Sequence, residues 1–178
     1  MNRDGGITIL PETSIVRKGE PFFIPDRSLK WHFTLMPAIR IDKLGKCIEQ
    51  RFATRYYNDI IFALKAGYEN NGAIYYPEGF DGSVMLSLPI NGMEIYKIKT
   101  SPLPRVGNDR IVETVFDLTF TPDANLIDQS ISEASKFYTL HTGDILLLNN
   151  VIGELDAKEN MRIEIISNER VLLSHKIK

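Results

Sequence analysis

Hydrophobic and polar positions alternate with a two-residue period from Leu29 to Ile41. Leu29, Trp31, Phe33, Leu35, Pro37, Ile39 and Ile41 form one apolar face, and Lys30, His32, Thr34, Met36, Ala38 and Arg40 form the other. Successive side chains of a strand point to opposite faces, so this pattern predicts a half-buried strand with His32, Thr34 and Met36 on one side. Val112, Phe116, Leu118 and Phe120 alternate with Glu113, Asp117 and Thr119, predicting a second long strand with a wet face. Ile145 to Leu148 is apolar on both faces and predicts a central strand. Met161, Ile163 and Ile165 alternate with Arg162 and Glu164, and Ser167-Asn168-Glu169-Arg170 turns the chain into a last strand, Val171 to Ile177. Asn91-Gly92 suits a two-residue turn that needs positive φ, so VMLSLPI and MEIYKI are expected to pair as a hairpin.

The period changes in two places. Leu44, Ile48, Phe52 and Tyr56 recur every fourth residue, predicting a helix from Lys46 to Asn58. A second helix is expected from Asp128 to Tyr138, with Asp128 accepting the free amides of the first turn and Ile131, Ala134 and Tyr138 facing inward. Strands outnumber helices without strict alternation. The expected class is therefore α+β, mainly β, with two short helices.

Composition adds boundaries rather than chemistry. A chain of 178 residues fits one domain and buries roughly 70% of its unfolded surface. With 43% hydrophobic and 25% charged residues and a net charge of −2, it presents no basic field for a phosphate backbone, so nucleic acid is not an expected partner. No stretch approaches the roughly 20 apolar residues of a membrane helix, and MNRDGG lacks the apolar core of a signal peptide. A single cysteine, Cys47, cannot make an internal disulfide. These features predict a cytoplasmic protein away from membranes, with Cys47 packed on the sheet.

The segment WHFTLMPAIRIDKLGKCIEQRFATRYYNDIIFALKAG resembles the fumarylacetoacetate hydrolase family, whose members carry H-[YF]-E-x-E on a strand, then a helix and a short strand ending in Asp. KGEPFFIPDRS resembles the family's loop into the cleft, FDGSVMLSLPI its strand after the active site, and ISEASKFYTLHTGDILLLNNVIGEL its late helix, turn and cleft strand. The resemblance covers most of Leu10 to Lys178 and implies a mixed β-sandwich or β-roll that forms a homodimer. It also implies that Thr34 and Met36 stand at the family's two metal-binding glutamates and Lys65 at its aspartate. Glu78 stands where the family has a lysine before FDGS, and Asn149, Asn150 and Val151 replace its G-T-P turn. Residues 1–9 contain no histidine or glutamate to match the family's acid/base lid.

Mg²⁺ and Mn²⁺, the family's ions, take hard oxygen ligands, which a threonine hydroxyl, a thioether and an ammonium replace poorly. No metal or other cofactor is expected. The resemblance thus implies a non-catalytic protein with a binding or regulatory role and a small-molecule ligand, as a homodimer or paired with an active paralogue. The alternative is a hydrolase or lyase acting on a small oxo acid of the acylpyruvate or oxaloacetate type, with Lys65 replacing the metal to stabilise an oxyanion or form a Schiff base.

Candidate catalytic residues are His32, Lys65, Glu78 and Asp81. His32 can serve as a ligand or base, or as a hydrogen-bonded structural residue. Glu78 and Asp81 flank a glycine-rich turn that can bring two acids into one cleft; equally, Asp81 can fix that turn by accepting backbone amides. Ser83 lies outside a G-x-S-x-G elbow. The tyrosines Tyr56, Tyr57, Tyr68, Tyr75 and Tyr76 are candidates for a pocket lining.

Overall fold

The computed structural model describes residues 10–17, 19–77, 79–92, 94–103 and 113–178. Strands dominate it, in the order β1 (Trp31–Ile41), β2 (Tyr57–Asn70), β3 (Ala73–Tyr75), β4 (Val84–Leu86), β5 (Glu94–Pro102) and β6 (Thr114–Phe120). One α-helix, α1 (Ala124–Phe137), is followed by β7 (Ile145–Leu147), β8 (Gly153–Ala157), β9 (Met161–Ser167) and β10 (Arg170–Ile177). The mainly β, α+β class is as expected from the sequence.

The first sheet runs β3-β2-β1-β7, with β4 also paired to β2 and β8 to β1; the second runs β10-β9-β5-β6. Their facing sides share one apolar core, in which Phe33, Leu35, Phe62 and Leu64 of the first sheet meet Tyr96, Ile98, Ile163 and Ile165 of the second. All eight of those side chains are fully buried, and ring contacts such as Phe62 to Tyr96, 4.8 Å between centroids, cross the interface. A smaller core joins Ile39 and Ile41 to Ile127, Ile131 and Ala134 of α1.

The long strand expected at Leu29–Ile41 is β1, but it is buried on both faces rather than one. Thr34 and Ala38 have no exposed surface and Met36 only 8%. The reason is tertiary: Ala38 packs with Ile61, Ala63 and Val84 beneath Leu10, Leu86, Ile145 and Leu147, and Tyr76 reaches Thr34. The expected Asn91-Gly92 hairpin does not form. Instead β4 pairs with β2 while β5 pairs with β6 and β9, so the chain passes here from one sheet to the other. Leu88 N donates to Leu172 O and Ile90 N to Ile60 O, which ties the crossing segment to both sheets. Ile145–Leu147 is a half-exposed edge strand on β1, not a central one. β6 has the anticipated wet face, Asp117 and Thr119, while Val112 lies outside the described residues. The turn at 168 and 169 has positive φ at both positions, 48° and 63°, and joins β9 to β10 as expected.

The first predicted helix is replaced by a 3₁₀ turn at Gln50–Arg55, followed directly by β2. Cys47 adopts φ 52°, its amide donates to Ser135 O, and Ile48 N donates to Ser135 Oγ. The segment before the 3₁₀ turn therefore hydrogen-bonds to α1 instead of coiling on itself. Cys47 is exposed rather than packed on the sheet. The second helix begins four residues earlier than expected. Its cap is Asp123, whose carboxylate accepts from Asn125 N and Leu126 N at 3.0 and 3.1 Å.

Asp128, expected as that cap, lies inside α1. Its Oδ1 is buried without a hydrogen-bond partner among the described residues, and burial raises its pKa above the usual 3.8. An acid whose folded pKa is raised weakens the fold as pH rises from its unfolded value through the folded one, because the ionised form is the one that burial penalises. Asp128→Asn is expected to stabilise the protein at pH 7 by about 1 kcal/mol, with the gain fading below pH ~4. Urea unfolding at pH 7 and pH 3.5 checks this; a destabilised variant at pH 7 would mean that the carboxylate has a favourable partner.

Candidate functional site

The side chains that the sequence singled out converge because β1 and β2 are antiparallel neighbours. Thr34 pairs with Lys65 across the ladder and Met36 with Ala63, which places Thr34, Met36 and Lys65 on one sheet face. β4 continues the row, with Val84 opposite Lys65, and Ile15 pairs with Val84 in a parallel bridge. A cavity of about 1310 Å³ opens on this face. Met36, Lys65, Val84 and Leu86 from the sheet, Tyr75 and Tyr76 from the segment at and after β3, and Ile145 and Leu147 of β7 line it. The amino-terminal turn adds Leu10, Glu12, Ser14 and Ile15, and α1 with the following loop adds Ser130, Glu133 and Asp144.

Three polar side chains meet at the Lys65 end. The hydroxyls of Thr34 and Tyr76 share a hydrogen bond of 2.5 Å, and the Lys65 ammonium lies 4.9 Å from the centre of the Tyr76 ring. A cation over an aromatic face is attracted by the ring quadrupole, so Lys65 and Thr34 hold Tyr76 from two sides. Ser14, in the 3₁₀ turn Glu12–Ser14, is fully buried in the same wall, and its Oγ has no hydrogen-bond partner among the described residues. Ser83, one residue before Val84, is also buried with its Oγ unpartnered.

The other candidates lie apart from this group. His32 sits between two acids, with Nδ1 3.3 Å from Asp156 and Nε2 3.7 Å from Glu69, and is not part of the cavity wall. The two carboxylates approach opposite ring nitrogens rather than a common point, and the 3.7 Å approach of Glu69 leaves the buried Nε2 without a hydrogen-bond partner among the described residues. Asp81 is exposed in its turn, where the amide of Gly82 donates to Thr13 O rather than to the Asp81 carboxylate. Glu78 lies outside the described residues. His141 is exposed, and His175 Nδ1 lies 3.0 Å from Glu20 O. Among the described residues, no group of three or more His, Cys, Asp or Glu side chains could hold a metal ion. No helix of the described residues is long and apolar enough to cross a membrane.

The tyrosine cluster divides. Tyr75 and Tyr76 line the cavity, Tyr56 and Tyr57 pack against the α1 core, and Tyr68 stacks edgewise on Trp31 at 5.4 Å. Ser14 and the rest of the amino-terminal turn were not singled out by the sequence. Their place in the wall depends on the bridge between Ile15 and Val84, 69 positions apart, which no local pattern announces.

No family model matches the sequence, and no curated protein matches it significantly. Solved structures do. A protein from Yersinia pestis CO92 assigned to the fumarylacetoacetate hydrolase family superposes with a TM-score of 0.63 at 21% identity, over 95% of this chain and 83% of that one. Maleylpyruvate hydrolase from Sphingobium sp. SYK-6 superposes with a TM-score of 0.66 at 15% identity, over 94% of this chain and 62% of its own length. Fumarylpyruvate hydrolase from Pseudomonas aeruginosa, solved with Mn²⁺ and pyruvate, gives 0.63 at 14% identity, over 94% of this chain and 76% of that one. The likeness spans nearly the whole chain and both sheets, and the protein therefore has the fold of the fumarylacetoacetate hydrolase family proteins.

Proposed function

We propose that this protein is a non-catalytic member of that fold, a single domain that binds a small molecule in the cavity beside Lys65 and uses no divalent ion. The observation that carries this reading is the chemistry of the face shared by Thr34, Met36 and Lys65. The Thr34 hydroxyl is already engaged by Tyr76, Met36 offers a soft thioether, and Lys65 brings a positive charge. This donor set does not fit a hard divalent cation, which needs oxygen ligands and is repelled by an ammonium at short range. C–C bond hydrolysis or decarboxylation of an oxo acid passes through an enolate, for which a divalent Lewis acid is the usual partner. Without ligands for that ion, the face suits binding rather than turnover. The reading extends to a reducing cytoplasm, where Cys47 stays a thiol, and to a homodimer or a mixed dimer with a catalytic paralogue.

A second reading draws on the position of Lys65 in the cavity wall, 4.9 Å from the Tyr76 ring. Here the ammonium replaces the metal as the electrophile acting on a small oxo acid. Assays with acetylpyruvate and oxaloacetate, with and without Mn²⁺, separate the two. The non-catalytic reading expects no turnover above background in either condition and no stoichiometric Mn²⁺ or Mg²⁺ site by calorimetry. Turnover on the order of 1 s⁻¹, the low end of ordinary enzymes, overturns it. Loss of that turnover in Lys65→Ala would then assign the chemistry to lysine.

A further inference from the structure

We propose that β6 is the surface on which a second copy of this chain docks, the two β6 strands pairing antiparallel so that the second sheets of both copies join into one. This rests on the homodimer of the reading above and assigns its contact surface. Two observations support it: an edge that carries none of the features that normally protect one, and a pairing register in which the edge complements itself.

The second sheet ends in β10 on one side and β6 on the other. The β10 edge is covered: Phe22 N donates to Lys176 O and Leu88 N to Leu172 O, both at 2.8 Å, and Lys178 N donates to Phe22 O at 2.9 Å. β6 pairs with β5 from Thr114 to Phe120, and among the described residues its backbone has no partner on the other side. A strand in that position presents a row of amides and carbonyls ready to pair with another chain, and folded proteins blunt such edges with short strands, charges, proline or bulges. Edges of the first sheet follow this rule, since β3 and β7 have three residues each and β8 exposes Glu154 and Asp156. β6 does not. Its seven residues, TVFDLTF, include no proline, glycine or lysine, their register on β5 is unbroken, and six of the seven are of types that favour strands or tolerate them well.

Side chains decide how two copies meet. Phe116 and Leu118 face the inter-sheet core yet stay only half-buried, whereas Ile98 and Tyr96, opposite them on β5, are fully buried. A further strand on this edge extends the apolar layer past both. Val115, Asp117 and Thr119 alternate with them on the exposed face. Because a slip of one residue sets core-facing positions against exposed ones, the two-fold axis of such a pair passes through a residue and not between two. An axis on Asp117 sets two carboxylates opposite each other, and one on Phe116 sets Asp117 opposite Val115. An axis on Leu118 sets Asp117 opposite Thr119 of the second copy, where a hydroxyl can donate to the carboxylate, and Phe116 opposite Phe120. That register pairs polar with polar and ring with ring, as an isologous contact requires.

Sedimentation equilibrium of the full chain at increasing concentration, with amide hydrogen exchange in parallel, tests this. A concentration-dependent dimer is expected, with β6 amides gaining protection as it forms. Thr119 is exposed and lies opposite Ile95 on β5, so replacing it leaves the core of each copy intact. Thr119→Glu, placed against Asp117 of the second copy, should weaken dimerisation about tenfold, and Thr119→Lys should strengthen it about threefold, since each change acts at two symmetry-related pairs. The opposite signs keep the test sound, because a folding defect moves both variants in one direction. A dimer that ignores both variants or is weakened by both, with β6 amides unprotected, overturns the proposal and leaves the homodimer standing on another surface. A monomeric parent overturns the proposal and the homodimer together and leaves β6 to a strand of a different protein. The non-catalytic reading is decided separately, by the Mn²⁺ and acetylpyruvate assays.

Discussion

Thr34→Glu/Met36→Glu/Lys65→Asp is expected to melt on the order of 10 °C below the parent when no divalent ion is present, since burying unpaired carboxylates costs several kcal/mol. Thr34 has no exposed surface and Met36 has 8%, so both new carboxylates enter a space with little water to solvate them. Thr34→Glu also removes the hydroxyl that holds Tyr76, and Lys65→Asp exchanges a positive charge on the same face for a third negative one. Three carboxylates at this spacing repel one another and are relieved by protonation or by a shared cation. Mn²⁺ is therefore expected to restore much of the lost stability to the variant and to leave the parent unchanged, because ligand binding to the folded state raises its melting temperature by mass action. Thermal melts with and without Mn²⁺ decide the matter. A variant as stable as the parent and indifferent to Mn²⁺ would show that the three positions do not face a common space.

Phe62→Ala is expected to cost about 3–5 kcal/mol, the range for removing a buried aromatic ring. Phe62 is fully buried on β2 and meets Tyr96 at 4.8 Å and Phe120 at 5.3 Å between ring centroids, both in edge-on geometry. Those partners belong to β5 and β6, so one ring on the first sheet anchors two on the second. Truncation leaves a cavity between the sheets that neighbouring side chains fill only in part. Urea unfolding should show a lower midpoint with an unchanged slope, the sign of lost stability rather than a changed denatured state. A second readout follows from Tyr96, whose pKa burial and then the Glu94 carboxylate push up to about 12. Opening the inter-sheet core should let Tyr96 ionise at lower pH, measurable by ultraviolet titration. A cost below about 1 kcal/mol with an unmoved Tyr96 would place the contact between the sheets elsewhere.

Local pattern was enough for the elements whose burial is decided along their own length. β9, with strict alternation, and the two positive-φ residues that turn it into β10 follow directly from the two-residue period and from turn chemistry, while β10 itself alternates only after an irregularity between Val171 and Leu173. The presence of β1 and β2 in one motif, and the meeting of Thr34, Met36 and Lys65, were legible only through the resemblance of a long segment to a known family. Composition and spacing carry no such information, because a register between two strands is a non-local property.

What the sequence by itself determined is the mainly β class and the existence of most strands. Tertiary structure alone decided which faces are buried, which sheet each strand joins and which residues wall the cavity. The helix expected at 46–58 gave way to a 3₁₀ turn because the amides of Cys47 and Ile48 bond to Ser135, 88 and 87 positions away, and a fourfold apolar spacing cannot see that competitor. The Asn91-Gly92 turn became a crossing between sheets because Leu88 and Ile90 find partners on β10 and β2, a choice set by long-range hydrogen bonding rather than by turn propensity. Ser14 has no motif around it; its place in the cavity wall depends on the pairing of the neighbouring Ile15 with Val84. Periodicity records which way a side chain points relative to its neighbours in sequence, whereas a site is made by what packs across from it, and only the folded chain supplies that.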